Sequence, residues 1–201
     1  MIRKIYINNL VLELYKQLPK IYFPISVKDI FQLIPNSKCM SYQKLAKLNG
    51  CSVQDVITLC QSKSGCTHYD VATNRYLVLL NLAERSYGRQ RWTAAHEIGH
   101  IVCKHHLISA MNQIAENDFS DNNNPEFESE ADYFAATLLA PFPLFKELGI
   151  KSIIDVQNIF GLSAEASLYR YKKYLQWKKS HRKTAWENDM VHIYKYKNNL
   201  Y

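Results

Sequence analysis

Apolar residues recur at helical spacing in the two stretches that also carry the most chemistry. Around residues 92–106, Ala94, Ala95, Ile98, Ile101 and Val102 fall on one arc of a wheel drawn at about 100° per residue, which predicts a helix anchored in a core on that side. A second helix is predicted from about Glu128 to Ala140, stopped by Pro141 and Pro143, which cannot continue it. Between them the chain must turn: residues 107–127 read as irregular, and Asn117 to Pro125 is rich in Asn and Asp. Upstream the period changes. His68 to Val71, the turn residues Ala72-Thr73-Asn74 and then Arg75 to Asn81 read as two strands of a hairpin. Residues 1–66 read as short helices. Ser26-Val27-Lys28-Asp29 and Ser52-Val53-Gln54-Asp55 each pair a capping hydroxyl with a carboxylate three positions on, and Gly50 is a helix stop. Residues 144–178 read as helical, and the polar, aromatic stretch that follows carries no assignable pattern. The expected fold class is α+β, a mostly helical core with a small β-sheet.

Composition narrows the class. The chain has 201 residues, enough for one domain or one with a small appendage. Apolar residues at 47% and aromatics at 12% exclude a disordered chain. No run of about 18 apolar residues occurs, so no membrane partner is expected. Met1-Ile2-Arg3-Lys4-Ile5-Tyr6-Ile7 places polar residues where a signal peptide needs its apolar region, so the expected location is cytoplasmic. The five cysteines show no C-x-x-C spacing and read as reduced thiols. Much of the net charge of +7 sits between Arg170 and Lys183. That run is either a solvated helix face or a surface for nucleic acid or an acidic partner. Lys44 to Val56 has the helix, glycine, helix order of a helix-turn-helix, which any pair of antiparallel helices shares.

The chemical motif is His96-Glu97-Ile98-Gly99-His100, an H-E-x-x-H on the first of the two helices. Residues four apart share a helical face, so both imidazoles can reach one metal ion. Glu97 lies one step around the helix and is the candidate general base for a water activated by that metal. Gly99 weakens the helix by about 1 kcal/mol relative to Ala but allows another backbone to come close. A catalytic zinc site needs a third protein ligand, and Glu126, Glu128 and Glu130 compete for that role. With Glu128 at 0° on the wheel, Asp132 falls at about 40°, Ala135 at about 340° and Leu139 at about 20°, whereas Glu130 falls at about 200°. Glu128 is therefore the ligand. Asp132 is placed to accept the second ring N–H of a ligand histidine, and Glu130 faces away from the first helix.

Arg91 to His100, Glu128 to Pro141, and Ile159-Phe160-Gly161-Leu162-Ser163-Ala164-Glu165-Ala166 with Arg170 resemble the ImmA/IrrE family of metallo-endopeptidases, over about Tyr76 to Leu175. Phe160-Gly161-Leu162-Ser163 departs mildly from the family's Phe-Gly-Val-Ser. The resemblance implies a thermolysin-like zincin core with one Zn2+ per chain, held by His96, His100 and Glu128 with Glu97 as base. It also implies a small helix-turn-helix-like C-terminal element that contacts protein or DNA. Such proteins are bacterial, often encoded by prophages and conjugative elements, and they cleave helix-turn-helix repressors. The expected organisation is a zinc metallopeptidase core over 1–145, a helix-turn-helix-like unit over 146–178 and an unassigned tail over 179–201. The expected partner is a protein substrate, with nucleic acid a weaker candidate. The rival readings are a non-cleaving anti-repressor and a DNA-associated regulator that keeps a zinc site.

Three further features stay open on sequence grounds. Cys103, one turn beyond His100, is a fourth ligand, a redox sensor or a residue packed at the cleft wall. His105 and His106 either polarise a substrate carbonyl or cap the helix. Tyr76, Leu77, Val78, Leu79, Leu80 and Asn81 form either an edge strand that an extended substrate could join or a purely structural strand. The sequence carries no signal for the oligomeric state.

Overall fold

A computed structural model describes residues 2–83, 86–109, 113–115, 124–180 and 184–200, so the Asn- and Asp-rich turn at 117–123 lies outside the described residues. The N-terminal region opens with α1 (Lys4–Gln17), which buries Ile7, Val11, Leu12, Leu14 and Tyr15. Then come α2 (Val27–Gln32), a short strand β1 (Ser37–Ser41), α3 (Tyr42–Asn49) and α4 (Val53–Cys60). The caps form at the expected places. Ser26 accepts from the Asp29 N–H, Ser52 and Asp55 form a reciprocal capping box, and Gly50 closes α3 with φ of 63°. A strand within the region read as helical is a departure from expectation: Ser37-Lys38-Cys39-Met40-Ser41 has no clear alternation and is held by its pairing partner.

The hairpin forms as β2 (Gly65–Asp70) and β3 (Arg75–Leu80), and β4 (Gln113–Ala115) completes a sheet of order β1-β3-β2-β4. β1 runs parallel to β3, and β2 runs antiparallel to both β3 and β4. Side chains alternate between two layers. Cys66 and its neighbour Leu79 face α3 and α4 with Tyr42, Ala46, Val56 and Cys60, whereas Val78, one position along, joins the main core. The pair at 44–56 is thus an α-hairpin covering one face of the sheet.

This topology corrects the edge-strand expectation for Tyr76–Asn81. β3 pairs with β1 on one side and β2 on the other, and the Asn81 N–H is taken by the Ser64 carbonyl at 2.8 Å. No hydrogen-bonding edge remains there for a substrate. Among the described residues the free edges belong to β1 and β4.

The central helix α5 (Tyr87–Val102) is followed by α6 (His105–Ser109) and, further on, α7 (Pro125–Leu139). α5 crosses α7 at very short range. A Cβ on Gly99 would stand 3.0 Å from the Ala131 Cα, 3.1 Å from the Phe134 Cδ1 and 3.2 Å from the Ala131 carbonyl oxygen. Ile98, Phe134, Ala135 and Leu138 are fully buried in this region.

The rest of the chain, α8 (Leu144–Glu147), α9 (Ile153–Phe160), α10 (Ala164–Ser180) and α11 (Ala185–Lys197), closes the same core. Phe145 stacks on Phe160 at 5.1 Å between centroids and meets the tilted Tyr174 ring at 4.5 Å. The stretch left unassigned on sequence grounds is largely α11, whose Met190 is fully buried and whose Trp186 Nε1–H donates to the Asn8 carbonyl at 2.6 Å. The expected boundaries after 145 and 178 therefore fall inside one continuous core. The α9–α10 turn is seated on the start of α5, where a Cβ on Gly88 would lie 2.5 Å from the Ser163 nitrogen. Arg170 is internal, donating to the Ala140 carbonyl at 2.9 and 2.7 Å and lying 3.6 Å over the Phe142 ring. Of the basic run, Lys172, Lys173, Lys178 and Lys179 are exposed, and Arg182 and Lys183 lie outside the described residues.

The crossing generates a test. A Gly99→Ala change gains about 1 kcal/mol of helix propensity. Its methyl meets α7 backbone that cannot rotate aside, and overpacking of that kind costs about 1–3 kcal/mol. Urea denaturation is expected to show a net loss of up to about 2 kcal/mol, and a larger one for Gly99→Val. A Gly99→Ala protein more stable than the parent by about the full 1 kcal/mol of helix propensity would show that α7 yields and that the close approach is not a constraint.

Candidate metal centre

Every residue of α5 from Thr93 to Ile101 is buried, so the polar side of the helix is enclosed as fully as its apolar arc. Buried polar groups need partners, and those partners come from α7, β2 and the turn after α5.

His96, His100 and Glu128 converge. His96 Nε2 lies 3.0 Å from His100 Nε2 and 3.2 Å from Glu128 Oε2, and His100 Nε2 lies 3.5 Å from Glu128 Oε1. The outer partners of the rings select the tautomers that ligation of one ion through both Nε2 atoms requires. Asp132 Oδ1 lies 3.0 Å from His96 Nδ1, and a carboxylate only accepts, so Nδ1 holds the proton and His96 Nε2 a lone pair. His105 Nε2 lies 3.1 Å from Glu130 Oε2 and donates to it by the same rule. His105 Nδ1 then accepts, at 2.9 Å, from His100 Nδ1–H, which leaves a lone pair on His100 Nε2.

Burial favours the neutral form of His100 and His105. It drives His100 well below the usual imidazole range, helped by the neighbouring His96, His105 and His106, and it lowers His105 against the pull of Glu130. In those tautomers two imidazole lone pairs and a carboxylate face one point, and Glu128 Oε1 is buried with no hydrogen-bond partner. Ligand atoms about 2.0–2.1 Å from a tetrahedral zinc stand roughly 3.3 Å apart. The three separations bracket that value, so the residues fit a zinc ion.

Glu97 is fully buried and lies outside this trio. Its Oε2 accepts from the Thr67 hydroxyl on β2 at 2.5 Å. Asp132 is largely exposed and lies beside a histidine of the trio, 3.0 Å from His96 Nδ1.

Glu130 is not in the His96–His100–Glu128 trio, yet it is only 3% exposed and lies near Cys103 at the end of α5. Its carboxylate is held by Arg3, whose backbone N–H donates at 2.8 Å and whose Nη2 donates at 2.5 Å. Burial alone would raise this carboxyl, but Arg3 and His105 outweigh it and hold it at about 2. No signal in the sequence pairs residue 3 with residue 130. Proximity of His105 to His100 was legible, but its partner was not.

His105 and His106 serve neither role expected of them. His105 bridges His100 to Glu130, and its ring stacks on Phe127 at 4.4 Å. His106 Nε2–H donates to the Thr67 carbonyl at 3.2 Å, and burial lowers the ring to about 4. Both are turned inward against the protein. Cys103 is fully buried and sits with His105 and Glu130, not in the His96–His100–Glu128 group. Burial first, and Glu130 second, push its thiol up to about 12, so it packs as a neutral thiol. All five cysteines are free.

The model of the IrrE N-terminal-like domain, Peptidase_M78, matches residues 56–172. No curated protein matches the chain. The matched span runs from α4 into α10 and includes α5 and α7 whole, and it leaves out Arg3, most of the N-terminal helices and α11. More than half of the chain thus follows one family's pattern, and that half contains the converging histidines and glutamate: the chain belongs to the ImmA/IrrE family of metallopeptidases.

Proposed function

We propose that this protein is a zinc-dependent endopeptidase that cuts a single partner protein, a helix-turn-helix repressor, and so relieves repression. The observation that carries the peptidase reading is the set of two Nε2 lone pairs and one carboxylate facing a common point, with the buried carboxylate of Glu97 beside it on the same helix. His96, His100 and Glu128 would hold the metal. When bound, zinc polarises a carbonyl and lowers the pKa of water, so that a hydroxide nucleophile is available near neutral pH. Glu97 takes the proton of the attacking water and returns it to the leaving amine, and the Thr67 hydroxyl keeps its carboxylate in one orientation. Asp132 holds the His96 ring in the tautomer that ligation requires.

Selectivity has to come from outside the ligand set, which reads no side chain. Two surfaces suit it. β4 is a sheet edge beside β2, the strand that carries Thr67, and an extended segment could add there as a further strand. The outer face of α10 exposes Tyr169, Lys172, Lys173 and Gln176. It stands beside the α9–α10 turn that is seated on α5. That face would hold the partner while one segment enters the cleft. The repressor itself is what the family relationship suggests.

Three outcomes are expected. Purified protein carries about one zinc per chain, and both His96→Ala and His100→Ala abolish stoichiometric binding, as read by metal analysis; full retention in both would remove the site. Glu97→Gln keeps the zinc and the circular dichroism spectrum but slows cleavage by about 10²–10⁴-fold, the range typical of a lost acid–base group. If it cuts at the parent rate, Glu97 is not the base. The third concerns selection, tested by incubating the protein with the repressor encoded beside its gene, with and without chelator. The parent should yield one or a few fragments and leave casein largely intact. Lys172→Glu with Lys173→Glu should slow partner cleavage at least tenfold at unchanged zinc content. Binding of the repressor without fragments would favour a non-cleaving anti-repressor, and broad digestion of casein a general peptidase.

A further inference from the structure

The two histidines of the trio are held in different ways. His96 meets Asp132, a carboxylate whose side chain is 59% exposed. His100 meets no carboxylate on its Nδ1 side. Its Nδ1 meets His105, which passes the contact to Glu130, which is gripped by Arg3. The chain Arg3–Glu130–His105–His100 joins the first helix of the protein to the centre, and its first member lies outside the span that the family model matches.

We propose that Glu130, His105 and Arg3 act as positioning residues for the metal ligand His100, and that Arg3 makes the N-terminal segment part of the metal site. This rests on the zinc reading given above. Glu130 is a fixed anion, with a side chain only 4% exposed, and it accepts from both Arg3 and His105. Because it accepts from His105 Nε2, His105 can offer only a lone pair at Nδ1, and His100 must turn its own N–H that way. The ring stack of His105 on Phe127, with planes 5° apart, fixes the relay in orientation. Arg3 donates through its backbone and its side chain to the same carboxylate, and its Nη2 also donates to the Cys103 carbonyl at 3.3 Å, next to the end of α5. Removing Arg3 takes away the contacts that fix the Glu130 carboxylate in place, and a carboxylate free to turn no longer holds the His105 ring.

The same cluster could be taken for a second metal site, since Cys103, His105 and Glu130 offer ligand atoms within 4.8 Å of one another. The occupancy of those atoms argues otherwise. Both ring nitrogens of His105 are engaged, and the Glu130 carboxylate already holds a guanidinium. A cation there would have to displace Arg3 and break the support of His100. One zinc per chain, not two, follows.

The test is zinc affinity, measured by competition with a chromophoric chelator, alongside thermal unfolding of the metal-free protein. His105→Phe keeps the ring stack on Phe127 and removes the relay. Arg3→Ala alters a side chain that is 39% exposed and spares the core. Both are expected to weaken zinc binding, by about 10–100-fold for His105→Phe as for other outer contacts to metal ligands. Zinc affinity should fall further than any loss of metal-free stability accounts for, and Arg3→Lys should recover part of the loss seen with Arg3→Ala. The visible spectrum of the cobalt-loaded protein should shift in His105→Phe. If parent protein binds zinc through His96 but Arg3→Ala and the folded His105→Phe bind it within twofold of the parent, the relay is overturned while the zinc reading stands. If the variants lose zinc only in proportion to lost metal-free stability, their role is structural and the proposal is equally overturned. If the parent binds no zinc, the underlying reading fails first.

Discussion

The close crossing of α5 and α7 is the constraint on which the site depends. Two helices whose axes stood a methyl group further apart would bury the same apolar residues, but the Glu128 carboxylate would no longer come within 3.2 and 3.5 Å of the two imidazoles. Gly99 lies between His96 and His100 in sequence and faces Ala131 and Phe134 in space. The helix therefore carries a weak helix former at its centre, where small residues on both sides set the separation. Large apolar side chains then lock the crossing from the sides, Phe134 and Leu138 on α7 and Ile98 on α5.

Enclosing a polar helix face sets the second requirement. Nine consecutive residues of α5 are buried, two histidines and a glutamate among them, and each needs a partner of the right hydrogen-bonding sense. Carboxylates can only accept, and that single fact propagates through the network. It places the protons of His96, His105 and His100 on the outer side and leaves lone pairs inward. The polarity of the centre is thus decided at its rim, by Asp132 and Glu130. The outer ring also explains why a carboxylate that the wheel turns away from α5 is among the most buried acids of the chain.

The C-terminal helices are part of the core that carries the site. Phe145, Phe160, Tyr174 and Met190 share one cluster with α1, α5 and α7. The α9–α10 turn presses on Gly88 at the start of the helix that carries the histidines. The exposed face of α10 is in this way tied through packed side chains to the helix that carries the histidines.

Local chemistry determined much of this protein. The i, i+4 spacing of His96 and His100, the wheel angle that selects Glu128 and Asp132 over Glu130, the capping pairs at Ser26 and Ser52, the stop at Gly50 and the hairpin around 72–74 all follow from interactions within a few residues, and such interactions are written in the sequence. What the tertiary structure alone decided involves partners far apart in the chain. β1 becomes a strand only because β3 is there to pair with it, and the same pairing takes from Tyr76–Asn81 the free edge that its alternation suggested. α11 has a polar, aromatic sequence with no sharp period, and it settles as a helix on Asn8 and Glu147. Arg3 and Glu130 are 127 positions apart, and no local rule links them. A buried charge finds whichever counter-charge the packed chain delivers, and that delivery is a property of the whole fold.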